Sequence, residues 1–247
     1  MHAQILKPIL IINLVVCLAL ITNAQKKSKD KSSRILVFSK TKGFYHKSIP
    51  VGIAAIQKLG AENKFSVDTT KNAAYFTDDS LKHYKAVVFL STTGDVLDDQ
   101  QQEAFKRYIL GGGGYVGIHA AADTEYTWPW YNQLVGAYFL SHPKTQQATI
   151  LVTDKKHPST KGLPDKWTRT DEWYNYKDIA PGLTVIAKLD ETSYEGGKNG
   201  NDHPFVWYHS LEKGRAFYTG AGHTDESYAD PLFQQHLLGG IKYAMGK

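Results

Sequence analysis

The sequence is short of thiols. Its 247 residues contain one cysteine, Cys17, and it lies in the first 24 residues. These, MHAQILKPILIINLVVCLALITNA, read as a secretory signal peptide: Lys7 early, an apolar run from Ile9 to Ile21, and small or polar residues before Gln25. Cleavage after Ala24 would leave no cysteine. That excludes a disulfide framework, thiolate metal ligation and a cysteine nucleophile. The apolar run is also too short for a comfortable membrane span, so the leader implies a secreted or periplasmic protein without stable membrane insertion.

A basic face is missing too. Lys and Arg number 29 against 24 Asp and Glu, and much of the excess lies in KKSKDKSSR, residues 26–34, so that residues 25–33 read as a basic flexible tail ahead of the first strand. The remaining body is near neutral, which gives no support to nucleic-acid binding. There is no internal repeat and no low-complexity linker, so residues 34–247 read as a single domain. No GK[ST] phosphate loop or correctly placed GxGxxG is present. No HxH or HExxH spacing forces a metal site, and no carboxylate pair marks a glycosidase.

Strands and helices alternate through the first half. RILVFSK is followed by a helix, IPVGIAAIQKLG, with Ser48 as its cap and Gly60 at its end. KFSVDTT, a short turn of helix in TDDSLKHY, and KAVVFLSTT come next. LDDQQQEAFKRYILGG is a helix capped by Asp98 and Gln101, and GYVGIH is the following strand. The pattern implies an α/β fold, a three-layer, doubly wound and mostly parallel sheet. Four glycines, Gly111 to Gly114, precede a strand instead of a helix, so they stop a helix and cradle no phosphate. QQATILVTD, LTVIAKLD, HPFVWYHS and GRAFYTGAG are further strands, the last two a hairpin. DPLFQQHLLGGIKYAMG closes the chain as a helix.

Chemistry-bearing residues follow the strands. His46 comes after the first strand and His119 ends a buried one at a sharp turn; Asp123 lies just beyond it. Glu172 lies in a loop with Asp171, and His223 follows the last strand. His142 and His203 each precede a proline. In open α/β sheets such strand ends converge on one crevice. Two uses fit these residues: histidines and a carboxylate as general acid and base, or a divalent metal such as zinc on His119, His142 and Glu172. His83, His157 and His236 read as surface or packing residues. Fifteen tyrosines and five tryptophans suit sugar stacking or a core equally.

Taken in order, KGFYH, GGYVGIHAA with its DT, GAYFLSHP, DEWYNY, HPFVWYH and GRAFYTGAGH resemble the ThuA-like family of trehalose-utilisation proteins. The resemblance runs from about Arg34 to Gly246. It implies the flavodoxin-like fold of class I glutamine amidotransferases, without their cysteine and hence without their thioester chemistry. It also implies a disaccharide or its 3-keto derivative as a small-molecule carbohydrate partner. On this reading His46, His119, Asp123, Glu172 and His223 are catalytic, while Tyr45, Trp128, Trp173 and His203 bind substrate. A non-catalytic carbohydrate-binding or sensory domain on the same scaffold is the alternative.

Overall fold

In the computed structural model, the described residues are Met1 and 33–247. The signal-peptide reading and nearly all of the basic tail lie outside them. The first half runs β1 (Ser33–Phe38), α1 (Ile49–Glu62), β2 (Phe65–Thr70), α2 (Asp78–Leu81), β3 (Ala86–Leu90), α3 (Asp99–Leu110) and β4 (Gly114–Ile118). After β4 come α4 (Pro129–Val135), β5 (Tyr138–Ser141), β6 (Gln146–Val152), β7 (Lys166–Asp171), β8 (Asn175–Lys177) and β9 (Thr184–Asp190). The chain ends with β10 (Pro204–Leu211), β11 (Gly214–Thr219), α5 (Asp225–Ala229) and α6 (Pro231–Ala244).

Nine strands form one sheet in the order β2-β1-β3-β4-β11-β10-β9-β6-β7, and β5 pairs with β8 separately. From β2 through β11 every neighbour is parallel; from β11 onward the sheet continues antiparallel. The parallel half is the doubly wound layer that positions the site. Because β11 lies beside β4, the residues that follow these two strands emerge together.

Alternation along the strands builds two cores. Ile35 and Val37 of β1 face a layer with Ile56 and Leu59 of α1 and Leu237 and Ile241 of α6. Leu36 and Phe38 face the opposite layer, with Phe105 and Ile109 of α3 and Tyr131 of α4. The strands β3 and β4 are buried throughout, as parallel strands covered on both faces must be. Each buried side chain of this size contributes about 1.5–3 kcal/mol of transfer free energy.

Two helix-end expectations need correction. Ser48 precedes α1 but makes no side-chain cap; its Oγ donates instead to the carbonyl of Gly222 at 3.2 Å, joining the loop after β1 to the loop after β11. Gly60 does not end α1, which continues to Glu62. It is small because β2 passes close: a β-carbon there would stand 2.6 Å from Val67 Cγ2 and 2.8 Å from the Phe65 carbonyl. The Asp98–Gln101 capping box forms on α3. Asp230 caps α6, with Pro231 in its first turn.

The four glycines join α3 to β4 at the end of the sheet opposite His119. A β-carbon on Gly114 would overlap the carbonyl of Ala244 in α6, so this position is glycine for close packing. β5, β7, β8, α4 and α5 form in stretches where the sequence pattern predicts no element.

Candidate active site

His119 is the first residue after β4. It is fully buried and has φ +50°, a backbone conformation unusual for a residue with a side chain. Several contacts hold it. The Tyr218 hydroxyl donates to its carbonyl at 2.7 Å, and the ring of Tyr174 lies 4.2 Å from its own, centroid to centroid. Its Nδ1 lies 3.0 Å from the Gly220 carbonyl. A carbonyl only accepts, so the ring's proton sits on Nδ1 and the Nε2 lone pair of the neutral ring points away from Gly220.

That lone pair faces two other groups. His119 Nε2 is 3.2 Å from His223 Nδ1 and 3.4 Å from Glu172 Oε2, while His223 Nδ1 is 3.2 Å from the same oxygen. His46 stands edge-on to both rings, at 4.9 and 5.2 Å, and its Nδ1 is buried with no hydrogen-bond partner. One donor atom from each of His46, His119, Glu172 and His223 lies within 4.8 Å of all the others.

The electrostatics follow from this crowding. Burial, then the neighbouring His119 and His223, lower the pKa of His46 to about 3, so it stays neutral with a lone pair free. Burial alone would raise Glu172, but its close interactions with the imidazoles of His119 and His223 outweigh burial and hold the carboxyl well below its usual range. For His223, burial acts downward, and the hydrogen bond and charge of Glu172 overcome it to raise the group. Without a cation, then, the cluster holds a carboxylate against a protonatable imidazole.

The same separations fit a metal. Zinc bonded to nitrogen and oxygen at 2.0–2.2 Å in tetrahedral geometry puts neighbouring donors roughly 3.3–3.6 Å apart. The contacts among His119, His223 and Glu172 span 3.2–3.4 Å. The unpartnered Nδ1 of His46 and the fixed tautomer of His119 suit the same role.

The predicted residues divide. His46, His119, Glu172 and His223 come together. His142 does not join the four; its Nδ1 lies 3.1 Å from the other carboxylate oxygen of Glu172, and its side chain is 42% exposed. The donor set expected as His119, His142 and Glu172 is therefore corrected to one in which His46 and His223 stand where His142 was expected. Asp123 lies at the end of the same 3-10 turn as His119. It accepts the Tyr126 hydroxyl at 2.7 Å, and burial raises its carboxyl despite that bond.

Three substrate-binding expectations are overturned by burial. His203 is enclosed, with Nδ1 on Glu191 at 2.7 Å and Nε2 on the Tyr174 carbonyl at 2.8 Å; it supports the segment that carries Tyr174. Trp173 is fully buried, its Nε1 donating to the Gln146 carbonyl. Trp128 packs in the second core beside Tyr131. Tyr45 is exposed, with Lys71 over its ring at 5.5 Å.

Asp171 has a role the sequence reading did not assign. It is the last residue of β7, fully buried, and its two oxygens accept the main-chain N–H groups of His223 and Gly222. Its position beside Glu172 is the one signal in the sequence, because β7 lacks an apolar–polar alternation.

Comparison with known proteins accords with this fold. A family model described as trehalose utilisation matches residues 34–244. A solved structure titled as a ThuA-like protein of Bacteroides uniformis superposes with a TM-score of 0.74 at 24% identity, covering 88% of this chain and 93% of that one. One of Parabacteroides merdae gives 0.73 at 23%, covering 87% and 91%. A cytoplasmic protein of Salmonella typhimurium gives 0.61 at 12%, covering 85% and 98%, which shows the shared fold alone. Among curated proteins none matches.

Proposed function

The chain belongs to the ThuA family, and from that premise we propose that it is an exported carbohydrate-processing enzyme acting on a disaccharide or its 3-keto derivative at a divalent-metal centre. The observation that carries the metal reading is the set of donors from four separate strand ends, His46, His119, Glu172 and His223, gathered within 4.8 Å. Zinc bound there would supply Lewis acidity toward a substrate carbonyl or hydroxyl. The leader-like first 24 residues support export.

The chain's own groups supply the rest. The buried main-chain contacts of His119 and His223 hold the imidazoles in place, so no reorganisation is needed when substrate arrives. Asp123, whose carboxyl is raised by burial, serves as the general base. His142, half exposed beside Glu172, connects the centre to solvent and carries a proton inward. On a 3-keto glycoside the keto group acidifies the neighbouring C2 hydrogen. Asp123 takes that proton, the C–H electrons form the C1–C2 double bond, the C1–O glycosidic bond breaks, and His142 protonates the leaving oxygen. Proton removed and proton delivered balance.

The test is incubation of metal-replete protein with trehalose and 3-ketotrehalose. Glucose with an unsaturated 3-keto product from the second substrate supports the reading. Release of product from neither substrate overturns catalysis; sugar binding without turnover reassigns the chain as a binding module.

A further inference from the structure

A cleft of about 390 Å³ opens beside the four-donor cluster, with His223 in its lining and Phe44, Lys47, Thr145, Asp225 and Glu226 around it. That size is at the lower end of small-molecule sites, roughly 300–1,000 Å³. We infer that this cleft is the sugar subsite of the centre, with Phe44 as the stacking face and Asp225, Glu226 and Lys47 as hydroxyl partners. The inference rests on the carbohydrate reading above and adds where the sugar lies.

An exposed aromatic is ordinary by itself; the setting of Phe44 is not. Its side chain is the most exposed large apolar group among residues 33–247, at 65%, yet its backbone is tied down. Thr93 accepts the N–H of Lys42 through its carbonyl at 2.7 Å and that of Gly43 through its hydroxyl at 3.1 Å. The same hydroxyl donates to the Phe44 carbonyl at 3.0 Å. The ring stands edge-on to His46 at 4.9 Å. So an apolar plane is held in water, next to a member of the donor cluster.

The opposite wall is equally fixed. Thr224 caps α5, and Ser227 in that helix donates to buried Asp171 at 2.9 Å. Asp225 and Glu226 project from this anchored turn, exposed, and among the described residues neither enters an ion pair. Two carboxylates outside any ion pair, the ammonium of Lys47 and an aromatic ring lining one cleft match the chemistry of a sugar: hydroxyls at the rim and an apolar C–H face. Trp128 and Trp173 lie in the core and cannot serve it.

Two measurements on zinc-replete full chain decide the matter. In the first, 4-fluorophenylalanine is placed at position 44 and its fluorine resonance followed during titration with trehalose. In the second, Phe44→Ala and the double variant Asp225→Asn/Glu226→Gln are assayed with 3-ketotrehalose. A saturable fluorine shift, with KM raised about tenfold or more in both variants and kcat and zinc content little changed, supports the subsite. Turnover by wild type with an unmoved fluorine signal and unchanged KM overturns the subsite and leaves the functional reading intact. Absence of both binding and turnover in wild type overturns the functional reading and the subsite together.

Discussion

Asp171 holds His223 by its main chain. Oδ1 accepts the N–H of His223 and Oδ2 that of Gly222, each at 3.0 Å. Arg169 stands 3.4 Å behind, on the same strand. Replacing Asp171 with Asn exchanges an acceptor for a donor and leaves buried Arg169 without its nearest counter-charge. Asp171→Asn should therefore destabilise the metal-free protein by about 3–5 kcal/mol and weaken zinc binding about 10–100-fold. His223→Gln should weaken zinc binding while leaving the urea midpoint of the metal-free protein nearly unchanged. Equal effects of the two variants on that midpoint would contradict a positioning role for Asp171.

The donor set can be sorted one residue at a time. His46→Gln, His119→Gln and Glu172→Gln should each lower zinc affinity at least about a hundredfold in a competitive chelator titration. His142→Gln should keep the affinity within about threefold and lower kcat by about 10²–10⁴, as loss of a proton carrier does. Retention of zinc by His119→Gln would sink the assignment.

Trp173 separates core from binding surface. With no exposed ring atoms to offer a sugar, Trp173→Ala should cost about 3–5 kcal/mol of stability with little change in KM for any surviving activity. An unchanged denaturation midpoint together with a tenfold rise in KM would return this ring to the substrate.

Acid should weaken the fold through buried neutral histidines. Burial lowers His157 from 6.5 to about 4, with the ring stacked on Tyr208 at 4.6 Å. Above pH 6.5 neither folded nor unfolded chain protonates this group, and its contribution is flat. As pH falls from 6.5 toward 4 the unfolded chain takes the proton first, so stability drops by up to about 1.4 kcal/mol per pH unit. Urea titrations of metal-free protein at pH 7.5, 6 and 5 should show a shallower decline in His157→Gln than in wild type. Parallel declines would contradict this account.

Much of the scaffold was legible because its signals are local. The capping box of α3 and the unbroken apolar runs of β3 and β4 depend on near neighbours in sequence. β7 was hidden because the residues it turns inward are Trp167, Arg169 and Asp171, so its alternation does not read as apolar against polar. The site was partly legible for a similar reason. Residues just past strand ends, His46, His119 and His223, follow from topology alone. His203 also comes from a loop, but it turns inward to Glu191, and nothing nearby in the sequence announces that partner. The tryptophans failed because an aromatic residue name does not say which face is wet.

The four donors lie roughly fifty or more residues apart along the chain, so an ion bound among them works as a removable crosslink. It would close three long loops at once and bind only the folded arrangement. At a hundred times its dissociation constant such an ion adds about 2.7 kcal/mol to the resistance against unfolding. Metal release and opening of the strand ends then become one coupled event. A chelator would loosen the molecule without touching a single core contact.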